Sequence, residues 1–213
     1  MGPVHHPVMA ARVVELLVTR TDGFYIDCTV GGGGHARQVL LNAPEGRLLG
    51  IDMDEETLAR AAAALDTFAS RAKLRHGNFA NLKEIAAEEG IEHADGVLFD
   101  LGYSSLQLDA PERGLSFSSE GPIDMRFDRA VSRSALGIIQ RASERELADI
   151  IKEFGEERRA HPIARSILEA SRDGLLETTG DLKRAVLATK PARKTKTLAR
   201  VFQALRIAVN DEL

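Results

Sequence analysis

Phe24-Tyr25-Ile26-Asp27-Cys28-Thr29-Val30 runs directly into Gly31-Gly32-Gly33-Gly34 and then into His35-Ala36-Arg37-Gln38-Val39-Leu40-Leu41-Asn42. The first seven residues are short, apolar and β-rich, and the last eight read as a helix. Gly31, Gly33 and Ala36 therefore fit G-x-G-x-x-G/A after a strand and before a helix, the context the motif requires. Glycines there let the backbone turn tightly and approach a ligand where a Cβ would collide. Asp52 closes a second apolar run, Leu48 to Ile51, 21 residues after Gly31. A carboxylate at that place can accept hydrogen bonds from the hydroxyls of an adenosine ribose. A nucleotide or nucleoside cofactor is expected.

The loop alone leaves two cofactors open. NAD and S-adenosylmethionine sites both combine a glycine turn with an acid at the end of the second strand. Asp27, inside the first strand, favours S-adenosylmethionine: its carboxylate suits an amino group and would repel a pyrophosphate.

Working outward, strands and helices alternate. Pro7 to Val18 has apolar residues at helical spacing, with Pro7 suited to a first turn. Glu55 to Phe68 is an alanine-rich helix, Lys73 to Arg75 a third strand, and Ala80 to Glu89 a helix closed by Gly90. Gly96 to Phe99 is a fourth strand ending at Asp100. This order predicts an α/β fold around a parallel sheet. From Leu101 to Val131 the chain turns rich in Gly, Ser, Pro and Asp, a connection long enough to suggest function. Helices are expected again over 143–151, opened by a Ser-Glu-Arg-Glu capping box, and over 156–171 and 181–188. A basic linker, Lys190 to Lys196, precedes a final helix over 198–209.

Composition sets the bounds. The 213 residues are 44% hydrophobic and 28% charged with a net charge of −4, as in an ordinary globular protein. A single cysteine, Cys28, excludes an internal disulfide framework and a multi-cysteine zinc site. His5, His6, His76, His93 and His161 have no metal-ligand spacing, so no metal is expected. No apolar run approaches the roughly 20 residues that span a bilayer, and a soluble, cytoplasmic protein without membrane attachment is expected. Asp181 to Leu213 carries eight basic and three acidic residues. A basic segment on an acidic body suits nucleic-acid contact, or a solvated lysine-rich loop.

The longer motifs carry a family resemblance. They are His5-His6-Pro7-Val8-Met9, Asp27-Cys28-Thr29 with Gly31 to His35, Ile51-Asp52-Met53-Asp54, and Asp95 through Asp109 (DGVLFDLGYSSLQLD). Arg113-Gly114-Leu115-Ser116-Phe117, Pro122-Ile123-Asp124-Met125-Arg126, Gly155-Glu156-Glu157 and Phe202 to Leu213 follow. In these stretches, which run in order over nearly the whole chain, it resembles the small-subunit (16S) ribosomal RNA cytosine-N4 methyltransferase H family, the MraW proteins.

The resemblance implies a Rossmann-like class I methyltransferase with a helical insertion. Residues 1–104 would form the first part of that domain, 105–196 a substrate-recognition insertion, and 197–213 a helix returning to the domain. It implies transfer of a methyl group from S-adenosylmethionine to the exocyclic N4 of a cytosine in the decoding region of the small-subunit RNA. Gly33, Gly34 and His35 would line the cofactor, Asp52 bind its ribose and Phe79 flank its adenine, with Asp100 and Gln107 completing the pocket. Two departures stand out: Tyr103 replaces a small aliphatic residue, and Leu198-Ala199-Arg200 replaces Pro-Ala-Thr-Arg. The family also continues past Leu213 into further strands, so the chain is expected to be a C-terminally short form with an open sheet edge.

Residue chemistry refines the expectation. A cytosine amine is a poor nucleophile, and an acceptor for its hydrogen beside the sulfonium methyl raises its reactivity. Asp100, Ser104 and Ser105 are the candidates for that role. C5 methylation would need a cysteine nucleophile, and Cys28 lies within a strand, where a buried inert thiol is expected. Tyr103, Arg113, Phe117, Arg126, Lys194 and Lys196 are candidate RNA contacts through stacking and phosphate binding. The alternatives are a NAD-dependent oxidoreductase and a non-catalytic RNA-binding or assembly module.

Overall fold

The computed structural model of the protein describes residues 7–102, 105–108 and 110–213. Two compact units divide it, Met1–Ser104 and Ser105–Leu213.

In the first unit four parallel strands, β1 (Phe24–Asp27), β2 (Arg47–Asp52), β3 (Ala72–His76) and β4 (Gly96–Leu98), stand in the order β3-β2-β1-β4. Four helices accompany them: α1 (Ala10–Leu17), α2 (Gly34–Asn42), α3 (Glu55–Ala64) and α4 (Leu82–Glu88). Successive strand residues point to opposite faces, and here both faces are covered, which explains the unbroken apolar runs in β1 and β2. Tyr25 and Leu48 join Ala36, Val39 and Leu40 of α2 and Ala61 of α3 in one cluster. Ile26, Leu49 and Ile51 join Cys28 and Ile85 of α4 in the other.

Local chemistry places the helix ends. The Asp54 carboxylate caps α3 by accepting from the backbone N–H groups of Glu56 and Thr57, and Glu55 and Glu56 sit in the favourable first turn. The helix expected to reach Phe68 stops at Ala64 and tightens into a 3-10 turn over Asp66–Phe68. The strand expected to reach Val30 ends at Asp27, because Asp27 Oδ1 accepts from Thr29 N and folds the chain into the glycine loop. On β4, Val97 is 39% exposed, and Phe99 and Leu101 beyond the strand are 47% and 53% exposed.

The second unit contains α5 (Ser105–Leu108), α6 (Ala135–Arg141), α7 (Glu144–Gly155), α8 (Ala160–Arg172), α9 (Thr179–Ala188) and α10 (Lys194–Asn210). Its core is built from Ile139, Leu147, Ile151, Ile163, Ile167, Leu182, Val186, Val201 and Leu205. The expected capping box is present at Ser143 and Glu146, and a second one, Thr178 with Asp181, starts α9 two residues earlier than expected. Helix α8 begins at Ala160 rather than 156, since Glu156 takes a left-handed conformation that ends α7.

One expectation needs correcting here. The basic stretch 190–196 is not all linker, because α10 already starts at Lys194. Helix α10 packs on α7, α6 and α9, and its residues Leu198, Val201, Phe202 and Leu205 are buried within the second unit. Close approach is enforced at Gly155, where a Cβ would lie 2.5 Å from the Arg200 carbonyl oxygen. The turn-rich segment before α6 is also tied down: Asn210 Oδ1 accepts from Phe127 N at 2.7 Å, and its Nδ2 donates to Met125 O at 2.8 Å.

Candidate functional site

The strand order runs from β1 outward to β2 and β3, and the chain then crosses to place β4 on the other side of β1. That reversal is the topological switch point of an open α/β sheet, and ligands bind at the carboxyl ends of the strands beside it. Asp27 ends β1, Asp52 ends β2, and Asp100 follows β4, so three carboxylates meet the glycine loop at this edge.

Each carboxylate has a distinct environment. Asp52 Oδ2 accepts from Gly31 N at 2.8 Å and Oδ1 from Asp54 N at 3.0 Å, which ties the loop to β2. Each oxygen keeps a second lone pair for a ligand hydroxyl. Burial raises the Asp52 carboxyl above its ordinary range despite these bonds. Asp27 is 2% exposed; Oδ1 accepts from Thr29 N at 3.1 Å, while Oδ2 is buried with no hydrogen-bond partner among the described residues. Burial pushes the Asp27 carboxyl up to about 7, and the charges of Asp52 and Asp100 add to the rise. Asp100 is half-exposed, and its backbone N–H donates to Thr29 Oγ1 at 2.7 Å, tying the end of β4 to the loop after β1. Thr29 was not singled out from sequence, because a lone threonine in a strand carries no signal of this bond.

The loop itself has the geometry its glycines suggested. Gly31 at φ 53° and Gly33 at φ 83° occupy the left-handed region, and a Cβ at Gly33 would sit 3.3 Å from Ala61 Cα. His35 lies buried in the first turn of α2. Its Nε2 is 3.4 Å from Asp100 Oδ2, and its Nδ1 is buried without a partner among the described residues. Phe79 is half-buried and meets the exposed Phe99 ring edge-on, with centroids 5.6 Å apart. Sequence reading gave Phe79 a place in the site but took Phe99 only as the last residue of the fourth strand.

Among the described residues, the buried side-chain polar atoms lacking any partner are Asp27 Oδ2 and His35 Nδ1, and both border the glycine loop. A buried polar atom without a partner costs about 1–3 kcal/mol. The pair fits a ligand that brings its own polar groups, such as the ammonium and carboxylate of a methionine moiety. It does not fit a pyrophosphate, which would meet three carboxylates.

The other sequence candidates divide. Tyr103 and Ser104 lie outside the described residues, as does the side chain of Ser105. Gln107 is buried in the second unit. Arg113 is 4% exposed and donates to Phe127 O at 3.2 Å, a bond that organises its own loop. Arg126 makes bonds of 2.6 and 2.8 Å to Asp124 and donates further to the Arg129 and Val131 carbonyls. Phe117 is half-buried against Phe202, with ring centroids 5.6 Å apart. Lys194 and Lys196 are exposed.

Comparison with known proteins extends this geometry. The model of the MraW methylase family matches residues 3–213. A protein of Sorangium cellulosum named ribosomal RNA small subunit methyltransferase H is 46% identical over 215 residues, covering all of this chain and 68% of that protein. Proteins of the same name from Symbiobacterium thermophilum and Trichlorobacter lovleyi are 44% and 46% identical, covering 98% and 100% of this chain. The chain spans 67% and 70% of their lengths. A Rossmann-like sheet, an acid-ringed glycine loop and a family match over residues 3–213 thus converge: the chain belongs to the MraW methylase family and is an S-adenosylmethionine-dependent methyltransferase.

Proposed function

We propose that this chain methylates the exocyclic N4 of a cytosine in small-subunit (16S) ribosomal RNA, within the small ribosomal subunit and in the cytoplasm. RNA as the substrate class is supported by the names of the relatives. The single observation that carries the choice of N4 over C5 is the state of Cys28. That cysteine is 2% exposed just past β1, and burial with the Asp27 charge pushes its thiol up to about 12. A C5 route needs a thiolate that can reach the base, and this thiol is neither ionised nor accessible.

Bound S-adenosylmethionine supplies an electrophilic methyl on sulfur. In this reading the glycine loop from Gly31 through Gly34 and His35 shape its cradle, Asp27 accepts from its ammonium group, and Asp52 from its ribose hydroxyls. Phe79 with Phe99 offers an aromatic wall for the adenine. Asp100 accepts a hydrogen from the target amine, with His35 Nε2 beside Oδ2 to orient the carboxylate; Ser104 and Ser105 share that role. The first unit holds the donor and the second reads the RNA. Among the described residues, no helix is long and apolar enough to cross a membrane.

The test is methyl transfer from radiolabelled S-adenosylmethionine to small-subunit RNA, followed by nucleoside mass spectrometry. N4-methylcytidine is expected, with loss of about 10²–10⁴ in rate for Asp100→Asn. Appearance of 5-methylcytidine instead would sink the N4 assignment.

A further inference from the structure

Charge in the second unit is sorted. Of the three acids between Asp181 and Leu213, Asp181 pairs with Arg184, and Glu212 holds Arg206 through bonds of 2.8 and 2.9 Å. Lys183 donates to Phe117 O, and Arg200 lies 3.8 Å from Glu157 Oε2. The third acid, Asp211, is at the far end of α10, about 25 Å from Lys194 at 1.5 Å per residue. The surplus is left on Lys190, Arg193, Lys194 and Lys196. All four are exposed, and none has an ion-pair partner among the described residues.

The scaffold under these side chains is fixed. Arg159 donates from Nη1 to Lys190 O at 3.1 Å and from Nη2 to Thr189 O at 2.8 Å, pinning the chain between α9 and α10. Glu157 is buried and accepts from Arg159 N at 3.1 Å and from Thr197 Oγ1 at 3.0 Å, joining the starts of α8 and α10. Lys190 is held at φ 51°, a conformation unfavourable for a residue other than glycine. Lys194 and Lys196 stand in the first turn of α10, where positive charge opposes the helix dipole. Local stability therefore does not account for this charge.

We propose that Lys190, Arg193, Lys194 and Lys196 form a platform that grips the sugar-phosphate backbone of the RNA substrate. The inference rests on the RNA reading above and adds the surface that engages it. A protein or lipid partner would call for apolar or aromatic anchors. No exposed large apolar side chain lies between residues 176 and 212 among the described residues. On a chain of net charge −4, a polyanion docks where the charge is locally positive.

The experiment uses the full chain and a variant with all four residues changed to Ala. Fluorescence anisotropy with a labelled small-subunit RNA fragment is followed from 50 to 200 mM salt. Each phosphate contact adds about 0.7–0.9 to the slope of log affinity against log salt. Four contacts make the parent lose about 50- to 150-fold more affinity over that range than the variant. A second variant, with the three lysines changed to arginine, should retain the parent slope. Melting curves and S-adenosylmethionine affinity should match between parent and alanine variant. A parent that binds RNA beside a variant with the same slope overturns the platform alone. A parent that does not bind RNA overturns both the platform and the RNA reading. Loss of binding to phosphatidylserine vesicles with RNA affinity retained would also overturn the platform, in favour of a lipid surface.

Discussion

Replacing Asp27 with asparagine should make the ligand-free protein more stable and the methyl-donor site worse. The Asp27 carboxyl is buried, Oδ2 has no partner among the described residues, and its pKa rises from the ordinary 3.8 to about 7. A rise of that size corresponds to about 4 kcal/mol of unfavourable free energy in the ionised form. The sign follows from linkage. Between pH 3.8 and 7 the folded state holds a proton that the unfolded chain has released, so stability falls as pH rises through that window and levels off above it. An asparagine side chain is neutral at every pH and close to isosteric with the carboxyl, so the variant escapes that loss. Urea denaturation at pH 8 should show the variant more stable by about 1–4 kcal/mol, with the gap closing toward pH 4. Calorimetry should show the reverse for S-adenosylmethionine. Parent affinity should fall as pH drops below about 7, because the ammonium group needs an ionised partner, and the variant should bind weakly without that dependence. Parallel stability curves for the two proteins from pH 4 to 8 would overturn this account of Asp27.

Further substitutions test other parts of the structure. Asp52→Ala leaves the Gly31 and Asp54 N–H groups without their acceptor; it should cost about 1–3 kcal/mol in denaturant and weaken donor binding in calorimetry. Gly33→Ala places a side chain at φ 83° and 3.3 Å from Ala61 Cα; a loss of more than about 1 kcal/mol and of donor affinity is expected. Asn210→Ala leaves Phe127 N and Met125 O unpaired in the second unit; it should cost about 2–3 kcal/mol, read by denaturation, and expose the 111–133 segment to proteolysis.

Different physical signals made some features legible and hid others. The apolar runs of β1 and β2, the alanine-rich α3 and the Ser143 cap each depend on neighbours within a few residues, and all were readable from sequence. The bonds of Arg113 and Arg126 were not legible, because an arginine beside glycines and phenylalanine looks the same whether it meets RNA or its own backbone. Their partners, Phe127 O and the Asp124 carboxylate with two carbonyls, are supplied by loop geometry that no periodicity encodes. Thr29 and Phe99 were missed for a similar reason, since their importance comes from an adjacent strand end.

Local pattern and motif were enough to establish the alternating α/β order, the glycine loop with Asp52 21 residues on, and the family. Each of these is written in residues that lie close together along the chain. Folding was needed to leave Asp27 and His35 with unpaired buried atoms. It was needed equally to set α10 into the core of the second unit and to leave the positive surplus at the start of that helix. Burial and ion pairing depend on which distant segments come to lie beside a side chain, and that is a property of the packed chain.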